Sequence, residues 1–172
     1  MNICDVRPSQ TTPPALNHPT RIEAKYHYRR TLPHHQWLGR IYFITFCTYN
    51  RQCLTPGSRQ IVMETCLGGN GKLFLLHAMV VMPDHVHLAL TPTRKEGGEV
   101  LIPEIMQAIK GASAHRINRY VGRKGRVWQD ESFDRAVRSV ENLRGKIDYM
   151  VENPVRAGLV SNPADYHWLW TE

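Results

Sequence analysis

Two apolar runs, Lys72–Val81 and His85–Thr91, are separated by only Met82-Pro83-Asp84. A link that short closes a hairpin, because parallel neighbours need a crossover of about a dozen residues or more. The spacing therefore predicts two antiparallel strands. A third run, Ile41–Tyr49, is β-branched and aromatic and reads as a further buried strand. Helical spacing places Ile61, Val62, Thr65 and Cys66 on a helix over Arg59–Leu67 that stops at Gly68-Gly69-Asn70-Gly71. Those glycines do not make a phosphate loop, which needs Gly where Cys66 stands and Ser or Thr where Leu73 stands. Pro103 opens a helix through about Tyr120. Val121–Val127 reads as a turn entering a short strand that ends at Trp128, and Glu141–Val151 as a last helix closed by Asn153-Pro154. Hairpins interleaved with helices predict an α+β sandwich on an antiparallel sheet.

The chain's 172 residues suit one domain. Residues 1–36 carry Pro8, Pro13, Pro14, Pro19 and Pro33 without apolar periodicity and read as a Pro-rich, basic N-terminal arm. Residues 37–172 read as the domain. Hydrophobic residues at 42% and charged ones at 22% exclude a disordered, collagenous or coiled-coil chain. The longest apolar stretch, Leu73–Met82, is too short to span a bilayer, and no signal peptide is evident. The expectation is a soluble cytoplasmic protein without a membrane partner. Cys4, Cys47, Cys53 and Cys66 lack paired C-x-x-C spacing, so reduced thiols are expected rather than structural zinc. Twenty-two Lys and Arg against fifteen Asp and Glu give +7, which favours polyanions and nucleic acid first.

Three constellations carry chemistry. In a strand, His85 and His87 point to the same face about 7 Å apart at the backbone, giving two legs of a divalent-metal site; paired histidines are also common as hydrogen-bonded or surface residues. On a helix, Tyr149 and Asn153 share a face one turn apart. Asn153 offers a hard carbonyl oxygen to Mg²⁺ or Mn²⁺, and Tyr149 a phenol that becomes a nucleophile with help from a metal or base. Alternatively Tyr149 caps the core and Asn153 ends the helix. Finally, Lys110–Arg126 holds Lys110, Arg116, Arg119, Arg123, Lys124 and Arg126 with no acidic residue, the footprint of phosphate contact. Trp128-Gln129 just beyond stacks on or hydrogen-bonds an unpaired base, or packs in the core. The end of the arm, with Arg29-Arg30 and His34-His35, is basic and aromatic and reads either as a segment that lies along a phosphate backbone or as a solvated linker.

Taken in order, Met82-Pro83-Asp84-His85-Val86-His87, the basic helix, Val127-Trp128-Gln129 and Tyr149-x-x-x-Asn153-Pro154-Val155-x-x-Gly158-Leu159-Val160 resemble the single-tyrosine HUH transposases. Within them the resemblance is to the REP-associated tyrosine transposases, domesticated relatives of small insertion-sequence transposases. It runs from about Ile41 to Trp170. It implies the ferredoxin- or RRM-like HUH endonuclease fold, a central antiparallel sheet with helices on one side. Carried over by position, His85 and His87 are metal ligands, Asn153 stands at the third-ligand position where relatives often carry Gln, and Tyr149 stands at the nucleophile position.

The implied activity is metal-dependent cleavage and rejoining of single-stranded DNA at a REP-type hairpin, through a 5′-phosphotyrosine on the enzyme and a free 3′-hydroxyl. The implied cofactor is Mg²⁺ or Mn²⁺, and no small-molecule substrate is expected. The resemblance leaves a monomer acting in cis and a homodimer acting in trans both open. Two rivals share parts of this reading: a non-catalytic single-stranded nucleic-acid binding protein, and a phosphohydrolase in which water attacks. The first needs no Tyr149, His85, His87 and Asn153 as a set. The second usually recruits several carboxylates, whereas only Asp84 and Asp148 lie near the motifs.

Overall fold

A computed structural model describes residues 21–22, 36–37, 39–96, 98–137 and 139–172. In chain order its elements are β1 (Arg21–Ile22), β2 (Gln36–Trp37), β3 (Tyr42–Thr48), a 3-10 turn (Tyr49–Arg51), α1 (Pro56–Gly69), β4 (Phe74–Val81), β5 (His85–Pro92), β6 (Arg94–Lys95) and β7 (Gly98–Glu99). They continue with α2 (Ile102–Tyr120), β8 (Trp128–Ala136), α3 (Val140–Arg156), a 3-10 turn (Pro163–Asp165) and β9 (Leu169–Thr171). Five strands form one sheet in the order β8-β3-β5-β4-β9, antiparallel throughout. The α+β class on an antiparallel sheet therefore holds.

Alternation along β3 and β5 divides the sheet into two faces. Tyr42, Ile44, Phe46, Val86, Leu88 and Leu90 bury one face against Val62 and Cys66 of α1 and Ile102, Ile105, Ile109 and Ile117 of α2. Phe43 and Ala89 bury the other against Met150, Leu143 and Ile147 of α3. Helices thus lie on both faces, not on one side as the resemblance implied. Strand β4 changes phase midway: Phe74 and Leu76 face α1 and α2, as do Met79 and Val81, because a bulge falls between Leu76 and Ala78. The extra residue, His77, is held by Thr91 Oγ1 and by Glu172 Oε1, each at 2.9 Å.

Three boundaries differ from the sequence reading. The strand entered near residue 128 begins at Trp128 and runs to Ala136 rather than ending there. It was hidden because it is a polar edge strand with only Trp128 and Ser132 buried. Helix α3 continues through Pro154 to Arg156. Its stop is Gly158, at φ +67, where Gly158 N–H donates to Val155 O and Leu159 N–H to Pro154 O, both at 2.9 Å. That double bond pattern closes the last turn around a left-handed residue. Finally, Gln36 belongs to the folded unit: its buried side chain donates to Val100 O at 3.0 Å and accepts from Ile102 N–H at 2.9 Å, tying β2 to the start of α2.

Candidate active site

His85 and His87 stand on the α3 face of β5, opposite Cys47 and Thr45 of β3. Their ring centroids are 4.9 Å apart and the rings are nearly perpendicular, at 75°. His87 is 6% exposed, lies on the Phe43 ring at 5.3 Å, and pairs through Nδ1 with Thr45 Oγ1 at 2.7 Å. Its other nitrogen, Nε2, is buried without a partner. Burial drives the His87 pKa down to about 3, helped by the nearby charges of His85 and Lys146 and opposed by Asp84. The ring is therefore neutral at physiological pH and keeps a lone pair. His85 Nδ1 lies 2.6 Å from Asp84 Oδ1, so its N–H donates to the carboxylate and its Nε2 is left free of that bond. Burial alone would raise the Asp84 pKa, but the His85 bond and charge and those of Arg51 outweigh it and hold the group near 2.

Helix α3 brings the second pair to this face. Ser139 caps it by accepting from Asn142 N–H at 3.2 Å, and the 3.6-residue period puts Leu143, Ile147 and Met150 on the sheet. Tyr149, half-buried beside them, has its ring centroid 5.7 Å from that of His87 at an angle of 70°. One turn on, Asn153 keeps Nδ2 buried and unpartnered. Asn153 is not the helix terminator that the sequence allowed, since the helix continues for another turn.

These residues fit a divalent cation. More than nine in ten buried polar groups are paired, yet His87 Nε2 and, one helical turn beyond Tyr149, Asn153 Nδ2 are both orphans, as are Arg59 Nε and Trp168 Nε1. A half-turn of the Asn153 amide presents Oδ1 in place of Nδ2. Each histidine also has its Nδ1 fixed, by Asp84 or by Thr45, as metal-binding imidazoles usually do. Among the described residues no three His, Cys, Asp or Glu side chains converge, and Asn153 offers a donor of another type.

The basic candidates separate. Arg119, Arg123 and Lys124, with His115, Asn118 and Gly125, line an open cavity of about 360 Å³ at the end of α2. Arg123 reaches Gln52 Oε1 at 2.9 Å, and Arg126 lies 5.6 Å over the Tyr49 ring and 3.2 Å from Asp130. Tyr49 N–H in turn donates to Val127 O at 2.8 Å, so this basic loop abuts the turn that follows β3. Lys110 and Arg116 have partners within the fold. The Lys110 ammonium donates to the carbonyls of Gln129, Asp130 and Glu131, and Arg116 pairs with Glu64 and Thr65 across α1 and α2. Trp128 is a correction. It is 5% exposed, edge-on to Phe46 at 4.9 Å, and donates through Nε1 to Ser113 Oγ at 3.0 Å, so no base can stack on it. Gln129 beside it is half-buried. Arg29 and Arg30 lie outside the described residues, as do His34 and His35.

Sequence reasoning did not find Thr45, Arg51, Lys146 or Arg156. Lys146 Nζ sits 4.9 Å from the Phe43 ring centroid on the His87 side, and the Arg156 guanidinium 5.4 Å from that of Tyr149. Lys146 and Tyr149 are three residues apart, a helical spacing that signals a shared face. The partners of Thr45 and Arg51 are distant in sequence and leave no local signal.

Residues 35–145 match the family described as Transposase IS200 like. The chain belongs to that family. Its enzymatic class is accordingly DNA cleavage and strand transfer. The chain is 27% identical over 130 residues to the REP-associated tyrosine transposase of Escherichia coli K12, covering 74% of each. It is 35% identical over 79 residues to the ISDra2 transposase TnpA of Deinococcus radiodurans, covering 44% of this chain and 54% of that one. The fold matches a solved REP-associated tyrosine transposase bound to a REP hairpin, with a TM-score of 0.63 and 23% identity, over 84% of this chain and 81% of that one. No helix among the described residues is long and apolar enough to cross a membrane.

Proposed function

We propose that this family member cuts single-stranded DNA at a REP-type hairpin and rejoins it through Tyr149. The observation that carries the reading is Tyr149 beside His87, 5.7 Å between ring centroids, on the face that holds the unpartnered His87 Nε2. The hairpin preference draws support from the REP-associated relative and from the fold neighbour that holds such a hairpin. A divalent cation, Mg²⁺ or Mn²⁺, held by His85, His87 and Asn153 would stabilise charge on the non-bridging oxygens of the scissile phosphate. Tyr149 Oη attacks phosphorus in line; the Oη–P bond forms as the P–O3′ bond breaks. The phenolic proton is given up and the 3′-oxygen takes one, leaving a 5′-phosphotyrosine and a 3′-hydroxyl. Attack by a 3′-hydroxyl on the adduct reverses the step and joins strands with the phosphodiester energy retained.

Arg119, Arg123 and Lys124 at the basic cavity take backbone phosphates in this reading, with Arg126 beside them, so affinity should fall steeply with salt. Gln129 remains a candidate contact at the start of β8, and Arg29 and Arg30 candidates for the hairpin foot. Removing residues 1–35, which leaves Gln36 in place, should weaken hairpin binding, and unchanged affinity would exclude the arm. The central test incubates wild type and Tyr149→Phe with end-labelled hairpin oligonucleotides in Mg²⁺, Mn²⁺ or chelator. A metal-dependent covalent adduct carrying the downstream label, absent in Tyr149→Phe, is expected. Cleavage that survives in Tyr149→Phe without an adduct would make the protein a hydrolase; tight binding without any cut would leave a binding module.

A further inference from the structure

Asp84 stands between the active-site histidine and a strained turn. Its carboxylate, only 4% exposed, spends one oxygen on His85 Nδ1 at 2.6 Å and the other on Arg51 Nη1 at 2.9 Å. Arg51 and its neighbour Asn50 have φ of +54 and +52, two consecutive non-glycine residues in the left-handed region. Such a conformation is unfavourable for L-residues and persists where the surroundings enforce it, often at functional sites. The surroundings here are specific. Asp84 O accepts from Thr48 N–H at 2.8 Å and from Thr48 Oγ1 at 3.1 Å, and Pro83 O accepts from Leu54 N–H at 2.6 Å. The chain on either side of Arg51 is thereby clamped to the turn that carries Asp84.

We infer that Arg51 is a positioning residue for His85, acting through Asp84 to fix the imidazole's tautomer and orientation. The inference rests on the proposed metal-binding role of His85 and His87. Asp84 has a free torsion about its last bond, and a partner on one oxygen alone does not fix its plane. A guanidinium on the second oxygen does, through a bond to the oxygen that His85 leaves free. His87 is steadied by Thr45 instead, an uncharged hydroxyl, so the two ligands differ in how they are held. Arg51 is half-exposed, with 48% of its side chain accessible, so the competing role for it is direct contact with a DNA phosphate.

Mn²⁺ titrations monitored by electron paramagnetic resonance on the full chain without DNA separate these roles, paired with hairpin binding in chelator. Arg51→Ala should weaken Mn²⁺ binding by about 10- to 100-fold, the usual consequence of losing an outer partner of a metal-bound histidine. Arg51→Lys should recover part of the loss. Arg51→Ala added to Asp84→Ala should cost nothing beyond Asp84→Ala alone, within about twofold. Hairpin affinity in chelator should match wild type. Mn²⁺ affinity unchanged by Arg51→Ala, or fully additive losses in the double variant, would overturn the inference. Unchanged Mn²⁺ affinity with lost hairpin binding would give Arg51 to the DNA. A wild type whose Mn²⁺ uptake is indifferent to His87→Ala would overturn the metal reading, and this inference with it.

Discussion

Replacing His87 with leucine tests whether the histidine pair is built for a ligand that the folded chain alone does not supply. In the metal-free protein, a buried Nε2 without a partner costs about 1–3 kcal/mol. Leucine removes that cost, keeps an apolar surface against Phe43, and gives up the single bond to Thr45, worth about 0.5–1.5 kcal/mol. The net places His87→Leu in chelator between about 0.5 kcal/mol less stable and about 2.5 kcal/mol more stable than wild type. Because His87 is neutral at pH 7.5, no charge effect intrudes. Mn²⁺ at one hundred times its dissociation constant should then stabilise wild type by about 2.7 kcal/mol. For a chain of this size that raises Tm by about 5–11 °C. The variant should gain nothing. Differential scanning calorimetry in chelator and in Mn²⁺, with the dissociation constant from isothermal titration, measures both quantities. A variant destabilised by more than about 3 kcal/mol in chelator would mean that His87 is fully satisfied without metal. An equal rise in Tm for both proteins would place the cation elsewhere.

Trp128→Ala should lower stability by about 3–5 kcal/mol as a core cavity while leaving hairpin affinity intact well below Tm. A base-stacking role would do the opposite, costing about 1–3 kcal/mol in binding with stability unchanged. Lys146→Ala should slow adduct formation by about a hundredfold in single-turnover gels, if its ammonium meets the phosphate as charge develops; an unaltered rate would remove Lys146 from the chemistry. The Asp84 carboxyl, held near 2 in the fold against 3.8 ordinarily, binds its proton less readily when folded. Its contribution to stability is therefore complete above about pH 4 and is lost as pH falls towards 2. Thermal melts across that window should decline less for Asp84→Asn than for wild type, and parallel curves would contradict the assignment.

What could be read from the chain follows from the range of the interactions. The central strands were legible because alternation of apolar residues is a local signal, and the three-residue link Met82-Pro83-Asp84 settles their direction. The register that sets Thr45 against His87 is not local; forty-two residues separate them. The same holds for Arg51 and Asp84, thirty-three apart, whose pairing decides how His85 is held. Residue type misled where burial decides the role: Trp128 has the chemistry of a base platform and the position of a core side chain. Pro154 misled through its intrinsic bias. A proline usually ends a helix, but Gly158, supplying the left-handed residue four positions later, marks the stop.

Each half of the candidate site carries its own local sequence pattern, yet their meeting depends on how closely α3 can lie on the sheet. Under α3 the sheet presents Ala78, Val80 and Ala89 beside Phe43, three small or medium side chains on a face that also carries the histidines. Small side chains allow a helix to approach closely, and Met150, fully buried, fills that space. The same period that buries Met150 sets Tyr149 at the margin of the contact, against His87, with Lys146 one turn before it and Asn153 one turn after. The chain after Gly158 fastens this arrangement: Tyr166 donates to Val81 O at 2.8 Å, and β9 pairs with β4 on the sheet's edge. A nucleophile needs its phosphate placed to within a fraction of an ångström. On the proposed mechanism that placement is set by apolar packing beneath Met150, so residues that never meet the DNA should also govern the rate.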